Sequence, residues 1–155
     1  MAEIEVMTLL NSLAAFGGTV PGVQSSFRLA DTPNVLTAAQ LPALVLFPKG
    51  GSGDDFHFQT FMGNSPHLKI SLVQQLFFAP SDSTDYRTAL PGMLSLLSAY
   101  MRQAKLTPFL DTRDTSDGSK AWQVPLNFAP QIGPAKYADI SYHSIAFYYA
   151  FDIQL

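Results

Sequence analysis

The sequence predicts an α+β domain, a mixed or antiparallel sheet of four to six strands with two main helices packed on one face. Three observations carry that expectation. First, the final stretch alternates without interruption. Ile145, Phe147, Tyr149, Phe151, Ile153 and Leu155 point one way, and Ala146, Tyr148, Ala150, Asp152 and Gln154 point the other. A period of two is what a strand with a buried face requires. Second, two segments repeat apolar residues every three or four positions, the helical period. Third, strands and helices do not follow one another in the regular βαβ order of a nucleotide-binding fold.

The first helix is drawn from Ile4, Met7, Leu10, Leu13 and Ala14, with Glu3 and Glu5 in a first turn that favours negative charge and Gly17-Gly18 as its stop. Pro21, Gly22 and Pro33 make 19–40 an irregular connector with one short strand around Phe27 to Leu29. Leu41-Pro42 then opens the continuous apolar run Ala43 to Phe47, a strand buried on both faces. Alternating segments from Phe56 to Met62 and from Leu68 to Phe78, separated by Gly63-Asn64-Ser65-Pro66, form a hairpin. Phe77-Phe78 puts one ring on each face of its strand, so one ring must meet a helix, a loop or another subunit.

The second helix carries Leu90, Met93, Leu94, Leu97 and Met101 as its core stripe. Pro91 suits only a first turn, which sets the start near Leu90 and leaves Tyr86 in a lead-in that also packs in the core. Residues 107–134 offer one modest strand, Trp122 to Phe128. The alternation slips by one between Ile140/Tyr142 and Ile145/Phe147, which calls for a bend, bulge or reversal near His143-Ser144. The predicted order is helix, three strands, helix, two or three strands.

The 155 residues form one domain, 1–155, by length. Only 14% of them are charged and 47% are hydrophobic, where a soluble domain usually carries about 25% charged residues. So little ionic coating leaves apolar surface to be buried against other copies, and the chain is expected to be a homo-oligomer. A net charge of −3 with nine scattered basic residues gives no general attraction to nucleic acid. Cysteine is absent, which excludes disulfides, zinc–thiolate sites and cysteine nucleophiles. Met1-Ala-Glu-Ile-Glu5 lacks the positive region of a signal peptide, and no apolar run approaches a membrane span. A soluble protein made in the cytoplasm, with no membrane partner, is the expectation.

No motif spells a reaction, and no catalytic, cofactor-binding or metal site is assigned. His57, His67 and His143 lack metal-ligand spacing. Asp111, Asp114 and Asp117 recur before Gly118, but the spacing is wrong for an EF-hand loop and its closing glutamate is missing. Lys49-Gly-Gly-Ser-Gly53 is followed by a strand rather than the helix of a phosphate loop. Asp54 and Asp55 diverge on an extended chain and are poor partners for acid–base work.

Three stretches resemble the tail terminator proteins of long-tailed bacteriophages, also described as minor tail or tail completion proteins. The first is Val20-Pro-Gly-Val23, Phe27 and Pro33, then Leu41-Pro-Ala-Leu-Val-Leu-Phe-Pro48. The second is the hairpin Phe56 to Phe78, the polar lead-in with Asp85-Tyr86-Arg87 and one long helix. The third is the aromatic, alternating Tyr142 to Leu155. The resemblance implies a virion subunit, assembled in the host cytoplasm and needing no cofactor, that closes into a homo-oligomeric ring, a hexamer. Such a ring caps the polymerised tail tube, stops its elongation and meets the head–tail connector proteins. DNA is only cargo passing through the lumen. The loops at 50–55 and 111–117 are the expected contact or lumen elements. A related head–tail joining or tail tube protein is the near alternative. An oligomeric enzyme or a small-ligand-binding domain with scattered site residues is the reading from another class.

Overall fold

Two strands far apart in sequence pair along almost their whole length and organise everything else. The computed structural model describes residues 6–48, 57–111 and 123–154. In chain order these form α1 (Val6–Gly18), β1 (Ser25–Ser26), β2 (Ala43–Pro48), β3 (His57–Phe61), β4 (His67–Pro80), α2 (Tyr86–Leu106), β5 (Phe109–Asp111), β6 (Gln123–Pro125), β7 (Phe128–Tyr137) and β8 (Ile140–Gln154). The fold is α+β, with a six-stranded mixed sheet in the order β1-β2-β4-β8-β7 and β5–β6 as a separate pair. β8 lies antiparallel along β4 from His67↔Gln154 to Pro80↔Tyr142. The opposite edge of β4 is shared end to end, its first residues pairing with β3 and its later ones with β2. At ~3.3 Å per residue a strand of β8's length reaches about 50 Å.

Both helices pack on one face, over Leu44, Leu46, Ile70, Leu72, Leu76, Ile145 and Phe147. The alternation read in the sequence is realised here, with Ile145, Phe147, Tyr149, Phe151 and Ile153 all buried. β2 is buried on both faces from Ala43 to Leu46, as its unbroken apolar run requires. Among the described residues the second face carries a smaller core at one end. There Ala43, Val45, Phe77, Tyr137 and Tyr142 pack under the connector residues Phe27, Leu36 and Leu41. Phe77 thus meets a loop of its own chain, while Phe78 packs on the helix side.

Several sequence expectations are corrected. The connector's strand is Ser25–Ser26, and Leu29 instead opens a 3₁₀ turn. α2 begins at Tyr86, so Pro91 lies in its second turn. The ladder loses one bond to the Arg87 carbonyl, and both residues are exposed, so water can replace it. Asp85 closes the first turn through its carbonyl, accepting from Thr88 and Ala89. The buried stripe of α2 is Ala89, Met93, Leu96, Ala99 and Tyr100, whereas Tyr86, Leu94 and Met101 are exposed. Similarly, α1 buries Leu9 and Phe16 beside Leu10, Leu13 and Ala14, and leaves Met7 outside.

The segment 107–134 contains more strand than one modest candidate: β5, β6 and most of β7. Pro130, Gly133 and Pro134 disguise β7 as loop. In a two-residue hairpin the flanking pair, Tyr137 and Ile140, exchanges hydrogen bonds, so alternate residues counted back from Tyr137 turn their N–H toward β8. Pro130 and Pro134 fall on the intervening positions, where a missing donor costs the sheet nothing and blunts its outer edge. The chain reverses at Ala138-Asp139, both at positive φ (51° and 65°), and β8 runs straight through His143-Ser144. The apparent phase slip is a change of face within an unbroken alternation. Ile140 and Tyr142 belong to the second face, and the bulge sits on the partner strand, between Phe77 and Ala79.

Gly17 marks one of two equally tight helix–sheet approaches, the other being Gly92 of α2 against Phe78. A Cβ there would lie 2.6 Å from Leu44 Cδ1, 2.7 Å from Ser26 Oγ and 2.9 Å from Gln74 Nε2. Helix propensity alone favours Ala over Gly by about 1 kcal/mol. Close packing reverses the sign: Gly17→Ala lowers unfolding free energy by about 1–3 kcal/mol, as read from urea denaturation.

Candidate functional site

The most conspicuous polar cluster is sealed inside the protein. Gln74, on β4, is fully buried and faces the helices. Its Nε2 donates to the Leu13 carbonyl of α1 at 3.3 Å, and its Oε1 accepts from the Tyr100 hydroxyl of α2 at 2.5 Å. Tyr100 also shares a hydrogen bond with the Tyr149 hydroxyl of β8, while its ring stacks on Phe147 at 3.7 Å. One amide therefore ties both helices to the middle of the ribbon. Around it, Ser26 Oγ donates to the Ala14 carbonyl at 2.5 Å and Thr19 Oγ1 to the Phe16 carbonyl at 2.6 Å, fastening the end of α1.

Burial pushes the Tyr100 phenol well above its ordinary range, and the neighbouring Tyr149 phenol reinforces the shift. Tyr149 is raised for the same reason, partly offset by the hydrogen bond it shares with Tyr100. Neither hydroxyl reaches solvent, so no substrate can meet them, and both act as positioning groups.

The histidines are held apart. His67 Nδ1 lies 3.0 Å from the Ser65 carbonyl, near one end of the ribbon. His143 Nε2 lies 2.6 Å from the Thr84 carbonyl, near the other. The His57 side chain, the glycine-rich segment 49–53, Asp54, Asp55, Asp114 and Asp117 lie outside the described residues. Among the described residues no three metal-ligating groups converge, and no helix is long and apolar enough to cross a membrane. A cleft of about 240 Å³ between α1 and the α2–β5 turn is lined by Ser12, Phe16, Thr19, Thr107 and Phe109 among others, with no acid or base. A groove of about 360 Å³ on the hairpin arm is lined by Phe58, Gln59, Lys69 and Ser71.

What the surface does offer is apolar side chains in separate places. At the arm formed by β3 and the start of β4, Met62 is 76% exposed, beside exposed Phe58 and Phe61. The Phe61 ring stacks on His67 and lies 5.5 Å from Lys69 Nζ, which holds it outward. At the far end of the ribbon Ile140 is 41% exposed, next to the β7–β8 turn, and Val35 is 55% exposed. Val35 sits in the connector that the Tyr137 hydroxyl fastens through the Pro33 carbonyl. A third set lies along α2. Among the described residues the one ion pair is Arg28–Asp31, itself exposed and worth little. Sequence reasoning assigned Met101 and Leu94 to the core and did not single out Met62, Val35 or Ile140 as surface groups. Their exposure depends on which strand ends project, and no local pattern carries that.

The chain matches no protein-family model, and no curated protein matches it in sequence.

The tyrosine pair makes stability depend on alkaline pH. A raised folded pKa means the folded state keeps a proton that the unfolded chain releases near pH 10. Stability is therefore full below pH ~10 and falls as pH rises toward the folded pKa, by about 1.4 kcal/mol per pH unit per group. Tyr149→Phe removes one such group, so urea unfolding between about pH 9 and 11.5 shows a shallower decline than in the parent. An unchanged slope contradicts the assignment. Separately, Tyr100→Phe leaves the Gln74 carbonyl without its donor and costs about 1–3 kcal/mol at neutral pH.

Proposed function

We propose that the chain is the subunit of a ring that caps the polymerised tail tube of a long-tailed bacteriophage, halts its elongation and offers a surface for head attachment. The three stretches that resemble tail terminator proteins correspond to β2 with its connector, to the β3–β4 hairpin with α2, and to β8. One observation carries the reading. The exposed apolar groups Phe61 and Met62 lie at one end of the β4–β8 ribbon, and Val35 and Ile140 lie at the other. A closed ring is built from heterologous contacts, which need two different patches on each subunit, and patches at opposite ends of a rigid ribbon meet that need head to tail. The scarcity of charge agrees, since burying those patches removes the apolar surface that 21 charged side chains cannot mask.

Tail tubes polymerised from purified tube protein test this. In the presence of the chain they are expected to reach a uniform length with capped ends in electron micrographs. Met62→Asp and Ile140→Asp each abolish capping, while their unfolding free energies stay within about 0.5 kcal/mol of the parent because both sites are at the surface. An unchanged length distribution with bare ends contradicts the proposal.

A further inference from the structure

α2 carries two apolar stripes, and only one of them meets the sheet. The second, Leu90, Leu94, Leu97 and Met101, follows the alternating four- and three-residue spacing of a heptad seam. It lies about 115° round the helix from the buried stripe. Leu94 and Met101 are each 45% exposed, and Leu97 packs only partly on the core. A 3.5-residue repeat is the pattern that another helix reads, and the unbranched, deformable methionine suits a surface that repacks on binding.

Charge says what kind of helix. Arg87, Arg102 and Lys105 are all exposed, and α2 contains no acidic residue, although the whole chain is net negative. On a helical projection Arg87 and Lys105 border the outer margin of the seam beside Leu94 and Met101, and Arg102 lies about 60° farther round. Whatever rests on the seam meets cations near both of its ends.

From this complementarity we infer that the outer face of α2 is a docking face for an acidic amphipathic helix of a partner protein. Leu94, Leu97 and Met101 receive its apolar face, and Arg87, Arg102 and Lys105 meet its carboxylates. A second copy is the poorer occupant. Antiparallel self-pairing of the seam matches Leu90 with Met101 and Leu94 with Leu97, and it brings Arg87 of each copy toward Arg102 and Lys105 of the other. Like charges drawn together oppose that pairing. An anionic membrane is also poorer, because three cations and one flanking aromatic, Tyr86, whose ring packs on His143, give little interfacial anchoring. The seam runs along the helix from its Arg87 end, where Tyr86 packs on His143 near one ribbon end, and the test below uses the free chain, so the inference stands or falls independently of ring formation.

The probe is a synthetic helical peptide of about three heptads with leucine at the seam positions and glutamate on the flanks. A second peptide is identical except for lysine on the flanks. Titration by calorimetry at low salt should show saturable binding of the acidic peptide, at least about tenfold tighter than the lysine-flanked one, and weakening as salt is raised. Leu94→Glu abolishes it, and Arg102→Glu combined with Lys105→Glu reverses the preference between the peptides. These sites are exposed, so an unchanged urea midpoint verifies that each variant is folded. The inference is overturned by no saturable binding, by equal affinity for both peptides, or by binding that survives Leu94→Glu. Leu94-dependent self-association, or Leu94-dependent binding to phosphatidylserine vesicles in place of the peptide, also overturns it.

Discussion

The β4–β8 pairing is the constraint from which the rest of the molecule follows. It joins residues far apart in sequence, from Pro80↔Tyr142 to His67↔Gln154, so it is the long-range contact whose closure entropy the remaining packing must offset. Once formed, it supplies both faces at once. One receives the helices, and the other receives the connector at one end. Because the ribbon outruns the elements that cover it, its ends carry apolar side chains that no part of the described fold buries.

Within the ribbon, the choice of glutamine at position 74 is informative. The flanking face positions Leu72 and Leu76 are fully buried apolar residues, and a leucine at 74 would satisfy hydrophobicity alone. An amide in such a setting is costly unless both its ends are paired. Gln74 is paired at both ends, to a carbonyl of α1 and to a hydroxyl of α2, and the tyrosine is held in turn by stacking on Phe147 and by Tyr149. The network is directional where hydrophobic contact is not. It therefore specifies where along the sheet each helix sits, and the close approach at Gly17 depends on that placement.

The sequence disclosed the elements whose signal is local. The β8 alternation, the doubly buried β2 run, the β3–β4 hairpin and the end of α1 at Gly17-Gly18 were all legible, because periodicity and turn residues act over a few positions. What it hid depends on tertiary choice. α2 has two apolar stripes of similar length, and the small residues Ala89, Gly92 and Ala99, which let the helix approach Phe78 and the sheet, carry little hydrophobic weight in a pattern search. β7 was concealed because its prolines are harmless only on an edge with the observed register. The Gln74–Tyr100–Tyr149 cluster unites three elements, and nothing in the local surroundings of any one of the three marks it. The surfaces proposed as interfaces were foreshadowed only by the low charge content, which says that apolar area remains outside without saying where.

On the proposed reading, a ribbon with apolar ends belongs to a subunit whose contacts run head to tail. Because the chain has no cysteine, this geometry is open to disulfide mapping without background. The most direct measurement is oxidative cross-linking, on capped tail tubes, of a chain carrying Met62→Cys and Ile140→Cys together. Head-to-tail contact predicts a ladder of cross-linked species that ends in a closed ring, six subunits by the family resemblance, while each single variant stays monomeric. Dimers from either single variant, or no ladder from the double variant, would contradict the account.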